Sequence, residues 1–158
     1  MKKVFQDYLY DLKVSSTVLK RVEKLIEILD QIIEIEFSAI FLSDFITQDG
    51  TMQFDTLYLF SDKFILQARN FMQMENFELG ALKEVIATIE IQEQDYDFKT
   101  TSEKSRFTLL VNLVFGPRIY QFKASKENCK YLKNIYQDYL QPNLSDASLP
   151  MKVLIVDS

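Results

Sequence analysis

The side chains that most often carry catalysis and bind metals are scarce in this chain. The 158 residues include no histidine and a single cysteine, Cys129. The commonest general base and metal ligand are therefore missing, and no thiolate zinc site can be assembled. The three glycines, Gly50, Gly80 and Gly116, stand too far apart to form a phosphate-cradling loop. The expectation is a binding protein, not an enzyme, with no cofactor and no metal. Residues suited to recognition gather in KYLKNIYQDYL (130–140), where Tyr131, Leu132, Ile135, Tyr136 and Tyr139 offer a large apolar and aromatic area. Tyr131 and Ile135 are expected to face a partner, whereas Leu132, Tyr136 and Tyr139 suit either a partner or the domain's own core. Lys63, Arg69 and Arg118, with Phe64 and Tyr120 near them, are candidate contacts to single-stranded nucleic acid. Ordinary surface charges and core aromatics would give the same pattern.

Charge weighs against nucleic acid as the main ligand. Lys and Arg total 18 against 23 Asp and Glu, a formal charge of −5 with a pI near 4.8, the wrong sign for phosphate-driven binding. Any contact to single-stranded DNA is expected to be weak or indirect, and the partner to be a protein. One cysteine rules out an intramolecular disulfide. Nothing near Met1 has the order of a signal peptide, which points to an intracellular chain. The apolar stretch from Val18 to Ile33 is broken by Lys24, Glu27 and Asp30, so no membrane association is expected. With 47% hydrophobic residues, a chain of this length can build one core.

The elements that would position these residues follow from periodicity. Residues 3–13 place Val4, Tyr8 and Leu12 at helical spacing in a short terminal arm or frayed helix. Ser15, Ser16 and Thr17 offer N-cap oxygens for an amphipathic helix on Val18, Val22, Leu25, Leu29 and Ile32, with Ile26 and Ile33 widening the stripe. FSAIFLSDFI (37–46) reads as a first strand, and TLYLF (56–60) with KFILQA (63–68) as an antiparallel hairpin. NFMQMENFEL (70–79) reads as an irregular crossing. LKEVIATIEIQ (82–92) alternates, with Val85, Ala87, Ile89 and Ile91 on its apolar face, although Ile86 breaks the pattern. After the polar loop QDYDFKTTSEKS come RFTLLVNLVF (106–115), stopped by Gly116 and Pro117, and RIYQFKA (118–124). Ser125 is expected to cap a helix over 126–140, ended by Pro142. The expected organisation is an arm or short helix at 1–14, one domain at 15–141, and a tail at 142–158 whose MKVLIVDS is β-prone.

Two architectures fit this order: a five-stranded OB-fold and a seven-stranded PH-like barrel with a capping C-terminal helix. TLYLFSDKFILQA and FKASKENCKYLKNIYQDYL resemble the middle strands and the last strand and helix of PH domains. The loop TQDGTMQF (47–54), however, has no lysine or arginine to clamp an inositol phosphate. Two blocks resemble the small OB-fold (Ten-type) subunits of the telomeric CST complex. FSAIFLSDFI looks like that family's first strand, through Phe37, Ser38, Ile40, Leu42 and Asp44. ILQARNFMQMENFELGALKEVIATI looks like its third and fourth strands, through Leu79, Gly80, Leu82, Val85 and Ile89. RFTLLVNLVFG then corresponds to the fifth strand and KYLKNIYQDYL to the partner-binding helix. The chain differs in having Ser38 where a glycine is usual and RIYQFKA as an extra segment. The resemblance implies an all-β OB-fold barrel with N- and C-terminal helices. It further implies a nuclear, telomeric, non-catalytic subunit of a CST-like, RPA-like complex associated with telomerase. That subunit would pair through the helix with a larger Stn-type OB-fold protein to support telomere C-strand and G-strand synthesis. The alternative reading is a PH-like protein-interaction adaptor.

Overall fold

The computed structural model describes residues 1–93 and 107–145. The polar loop QDYDFKTTSEKS and the β-prone MKVLIVDS lie outside the described residues. Two antiparallel sheets and three helices make up the rest. Helices α1 (Lys3–Asp11) and α2 (Ser16–Ile32) precede β1 (Ala39–Ile46), β2 (Met52–Phe60), β3 (Phe64–Arg69) and β4 (Glu78–Ala81). A second group, β5 (Ile86–Glu93), β6 (Phe107–Phe115) and β7 (Arg118–Ser125), leads to α3 (Asn128–Ile135). Spatial order equals chain order in both sheets, β1-β2-β3-β4 and β5-β6-β7. The β-rich domain with flanking helices expected from the sequence is present. A closed barrel is not, because among the described residues no ladder joins one sheet to the other.

Side chains join them at one side instead. β1 and β7 are both edge strands, and the register of β1 on β2 shifts between Ser43 and Asp44. The extra residue at this irregularity is Asp55 of β2, which stands between Phe54, opposite Asp44, and Thr56, opposite Ser43. Ser43 Oγ accepts from Lys123 N at 3.0 Å and Asp44 Oδ2 from Ser125 N at 2.9 Å, so two side chains of β1 replace the missing ladder to β7. Between the sheets lies an aromatic core of Phe41, Tyr58, Phe60, Tyr120 and Phe122, with the Tyr58 and Phe122 rings 4.5 Å apart. Buried Tyr58 keeps its hydroxyl satisfied by donating to Gln121 O and accepting from Gln67 Nε2, as a buried phenol requires.

Several local expectations are modified by packing. Within residues 3–13 a docked helix spans Lys3–Asp11: Phe5, Tyr8, Leu9 and Leu12 are buried, while Val4 points outward at 55% exposure. NFMQMENFEL ends in β4, which pairs with β3 from Phe64↔Ala81 to Gln67↔Glu78. The short, glycine-containing strand carries too little β-branched signal to stand out in sequence. Ser125 does not cap α3. It closes β7, and a turn with Lys126 at φ 51° delays the helix to Asn128, with Glu127 at the cap position and no side-chain cap bond. Beyond Ile135 the helical path widens into a π turn (Tyr136–Leu140) and a short 3-10 turn (Gln141–Asn143) containing Pro142. Gly116 and Pro117 form a two-residue hairpin loop between paired Phe115 and Arg118, and Gly116 supplies its positive φ of 57°.

Ser15 caps α2 as expected, its Oγ accepting from Val18 N at 3.3 Å. Ser15→Ala is expected to lower stability by about 1 kcal/mol, in the usual range for a lost N-cap. A shift in the urea midpoint without a change in slope would register it; an unchanged midpoint would show that the cap contributes nothing.

Candidate functional site

Among the described residues, the second sheet ends in an edge that is unpaired beyond Val85. β5 pairs with β6 on one side, from Ile86↔Val114 to Glu93↔Phe107. On the other side, among the described residues, only an isolated parallel bridge of Val85 with Leu144 touches its beginning, supported by hydrogen bonds from Val85 N to Asn143 O and from Ser145 N to Val85 O. From Ile86 onward the outer N–H and C=O groups of β5 face no strand among the described residues.

Beside this edge the apolar face of β5 is left partly uncovered by the described residues. Ala87, Ile89 and Ile91 pair with Leu113, Val111 and Leu109, so they share the inward face on which Val111 and Leu113 are buried. Ile89 is nevertheless 52% exposed and Ile91 66% exposed. The strand runs out past the end of the inter-sheet core, and α3 covers it only in part. What lies between is a groove of about 390 Å³, lined by Ile89, Leu109 and Val111 from the sheet and by Cys129, Leu132 and Tyr136 from the helical side. Lys133 stands at its rim with no ion pair among the described residues. The Cys129 thiol is half-buried and donates to Ala124 O at 3.2 Å, and burial pushes its pKa up.

Comparison with protein-family models, with curated proteins and with solved structures finds no match.

The helix residues singled out from sequence divide according to their side of α3. Leu132 is fully buried and Ile135 is 4% exposed, both inside this chain's own core. Ile135 thus turns inward, because the helix lies across the open end of the sandwich and its apolar stripe fills that end. Tyr136 is half-buried in the groove. Tyr131 and Tyr139 lie on the opposite flank, facing α1 and the start of β1. Tyr131 donates a short hydrogen bond to Asp11, and burial first, then Asp11, raises its pKa to about 12. Tyr139 shares a 2.6 Å hydrogen bond with Ser38.

The three candidate nucleic-acid cations do not converge. Arg69 and Arg118 meet on one carboxylate, Glu78, at 3.4 and 3.0 Å, and Arg118 also reaches Leu79 O. Lys63 precedes the far end of β3, and Tyr120 is buried in the core. A basic, aromatic track along one face is not formed among the described residues.

Sequence reasoning missed a buried polar cluster that joins α1, β1, β7 and α3. Asn128 Nδ2 donates to Leu42 O and to Asp44 Oδ2, both at 2.8 Å, and Asn128 Oδ1 accepts from Tyr8 OH at 2.8 Å. The same Tyr8 oxygen accepts from Leu42 N. Asp44 Oδ1, fully buried, has no hydrogen-bond partner among the described residues. Nothing in the periodicity marks Asn128, which occupies the first turn of an amphipathic helix like any polar residue. Asp44 carries a signal only as an acid inside an apolar strand.

Proposed function

We propose that this chain is a non-catalytic protein-binding module of PH-like architecture that takes up an extended, apolar peptide segment along β5. The observation that carries the reading is the coincidence of an open strand edge with uncovered Ile89 and Ile91 and an apolar groove against α3. Strand addition supplies main-chain hydrogen bonds, and alternate side chains of the added strand reach pockets on one face. A carboxylate in the peptide would find Lys133. Two further observations support PH-like over OB-like architecture: seven strands among the described residues, and their four-plus-three order followed by a helix. The loop between β1 and β2 contains no cation, which argues for peptide over inositol phosphate.

The test is selection from an unbiased library of displayed peptides, followed by calorimetry on those recovered. The expected result is a set with apolar residues at alternate positions whose affinity falls at least tenfold for Ile89→Asp, while the thermal midpoint of that variant stays close to wild type. Recovery of no peptide, or of peptides indifferent to Ile89→Asp, would overturn the proposal.

A second reading is a CST-like telomeric subunit docking a larger OB-fold protein, in the nucleus and with telomerase. The specific observation in its favour is that Tyr136, on the helix that the resemblance assigns to the partner, lines the groove. Recovery from native extract of a larger OB-fold protein and telomerase activity, lost on Tyr136→Ala, would favour it over a short-peptide ligand.

A further inference from the structure

The chain already lays the beginning of a parallel strand beside β5. Val85 N donates to Asn143 O at 2.9 Å and Ser145 N to Val85 O at 2.8 Å, so residues 143–145 run along the start of β5 in its own direction. Both main-chain groups of Val85 face this edge. The alternation of a strand therefore turns those of Ala87, Ile89 and Ile91 to it as well. The described residues end at Ser145, and the sequence goes on as DASLPMKVLIVDS. Unbroken continuation of the bridge register would set Ser148 and Pro150 opposite Ile89 and Ile91, a poor match for two exposed isoleucines. Looping out part of DASLP instead sets Met151 and Val153 opposite them and Lys152 opposite Glu90. The step from Leu144 to Met151 can span up to about 23 Å of extended chain. Val85 to Ile89 covers only about 13 Å of strand, so the reach suffices.

We propose that the segment 151–158 of this same chain occupies the β5 edge as an added parallel strand, which a peptide from another molecule must displace. The inference rests on the reading of β5 as a strand-accepting edge and adds its regulation. Met151 and Val153 cover Ile89 and Ile91, and Lys152 answers Glu90, which is exposed and has no ion pair among the described residues. Opposite charges facing each other across two strands stabilise the pairing. A second copy pairing its β5 antiparallel about Ile89 would place Thr88 opposite Glu90 and leave that charge unanswered. A short tether also gives the segment an effective concentration of about millimolar, an advantage that a free peptide lacks.

The experiment is amide exchange on the full chain, read by nitrogen-15 NMR. Slow exchange is expected at Ala87, Ile89 and Ile91 in the wild type at every protein concentration. It should become at least tenfold faster in Val153→Asp, with β6 and β7 unaltered as the control for folding. Glu90→Lys and Lys152→Glu should each speed exchange at the same amides, and the two together should restore protection. Peptides selected for the edge should bind Val153→Asp at least tenfold more tightly than wild type. Fast exchange at these amides in the wild type, protection indifferent to Val153→Asp, or protection that grows with protein concentration would overturn the proposal. Protection lost in Val153→Asp while no peptide binds that variant would leave this inference standing and sink the peptide reading. Fast exchange in the wild type with equal peptide binding by both proteins would do the reverse.

Discussion

Asp44→Asn is expected to make the protein more stable above pH 6 and to leave it nearly unaltered near pH 4. Asp44 is wholly buried, and burial is the main cause that raises its pKa from 3.8 to about 6; hydrogen bonds from Asn128 and Ser125 pull the other way, and the charge of Asp55 adds a smaller upward push. The raised value means that between pH 4 and 6 the folded state holds a proton that the unfolded state has released. Stability therefore falls as pH rises through this window and levels off above it. A shift of about two units corresponds to about 3 kcal/mol. Asparagine keeps an oxygen for Ser125 N and Asn128 Nδ2 and has no proton to lose. Denaturation curves of both proteins between pH 4 and 8 should diverge by about that amount, with the wild type the less stable at high pH. Parallel curves would show that Asp44 ionises without cost and that its orphaned oxygen is hydrated.

The other large effect is expected at Asn128. Its amide satisfies Leu42 O and Asp44 on one side and the Tyr8 hydroxyl on the other, all without solvent contact. Asn128→Ala leaves a buried carbonyl without a donor, a phenol without its acceptor and a carboxylate with one donor fewer. Each orphaned group costs about 1–3 kcal/mol, so a loss of about 3–5 kcal/mol is expected. Because Tyr8 is how α1 grips β1, amide exchange should accelerate first in Lys3–Asp11. A loss below about 1 kcal/mol, with α1 still protected, would show that apolar packing of Phe5 and Leu9 alone holds the helix. Asn128→Ala and Asp44→Ala each remove the one hydrogen bond between the two side chains, so the double variant should lose less than the sum of the two single losses.

Much of the local structure was legible in the residues. The three-and-four spacing from Val18 to Leu29, with Ser15 ahead of it, specified α2 because amphipathic period and capping are properties of the neighbouring sequence. The β2–β3 hairpin, the strand over 106–115 and the stop at Gly116 and Pro117 followed for the same reason. The candidate site was legible only in outline. Sequence identified Ile89 and Ile91 as one apolar face and Tyr131, Leu132, Ile135, Tyr136 and Tyr139 as an apolar helix, but an amphipathic stripe has the same appearance whether it meets its own core or another molecule. Which residues are spent on the core is decided by where the helix crosses the sheets. Here Leu132 and Ile135 are consumed, while Tyr136 and the end of β5 are left open.

By itself, then, the sequence determined the alternation and periodicity of the elements, the lack of histidine and cysteine chemistry, and the acidic balance. These depend on residues within a turn or two of each other or on composition. Tertiary structure alone decided that the sheets are joined through Ser43 and Asp44 instead of a ladder, and that Asn128 meets Tyr8 from 120 residues away. Such contacts join residues far apart in the chain, and each depends on the packing of several elements at once, which no local pattern encodes.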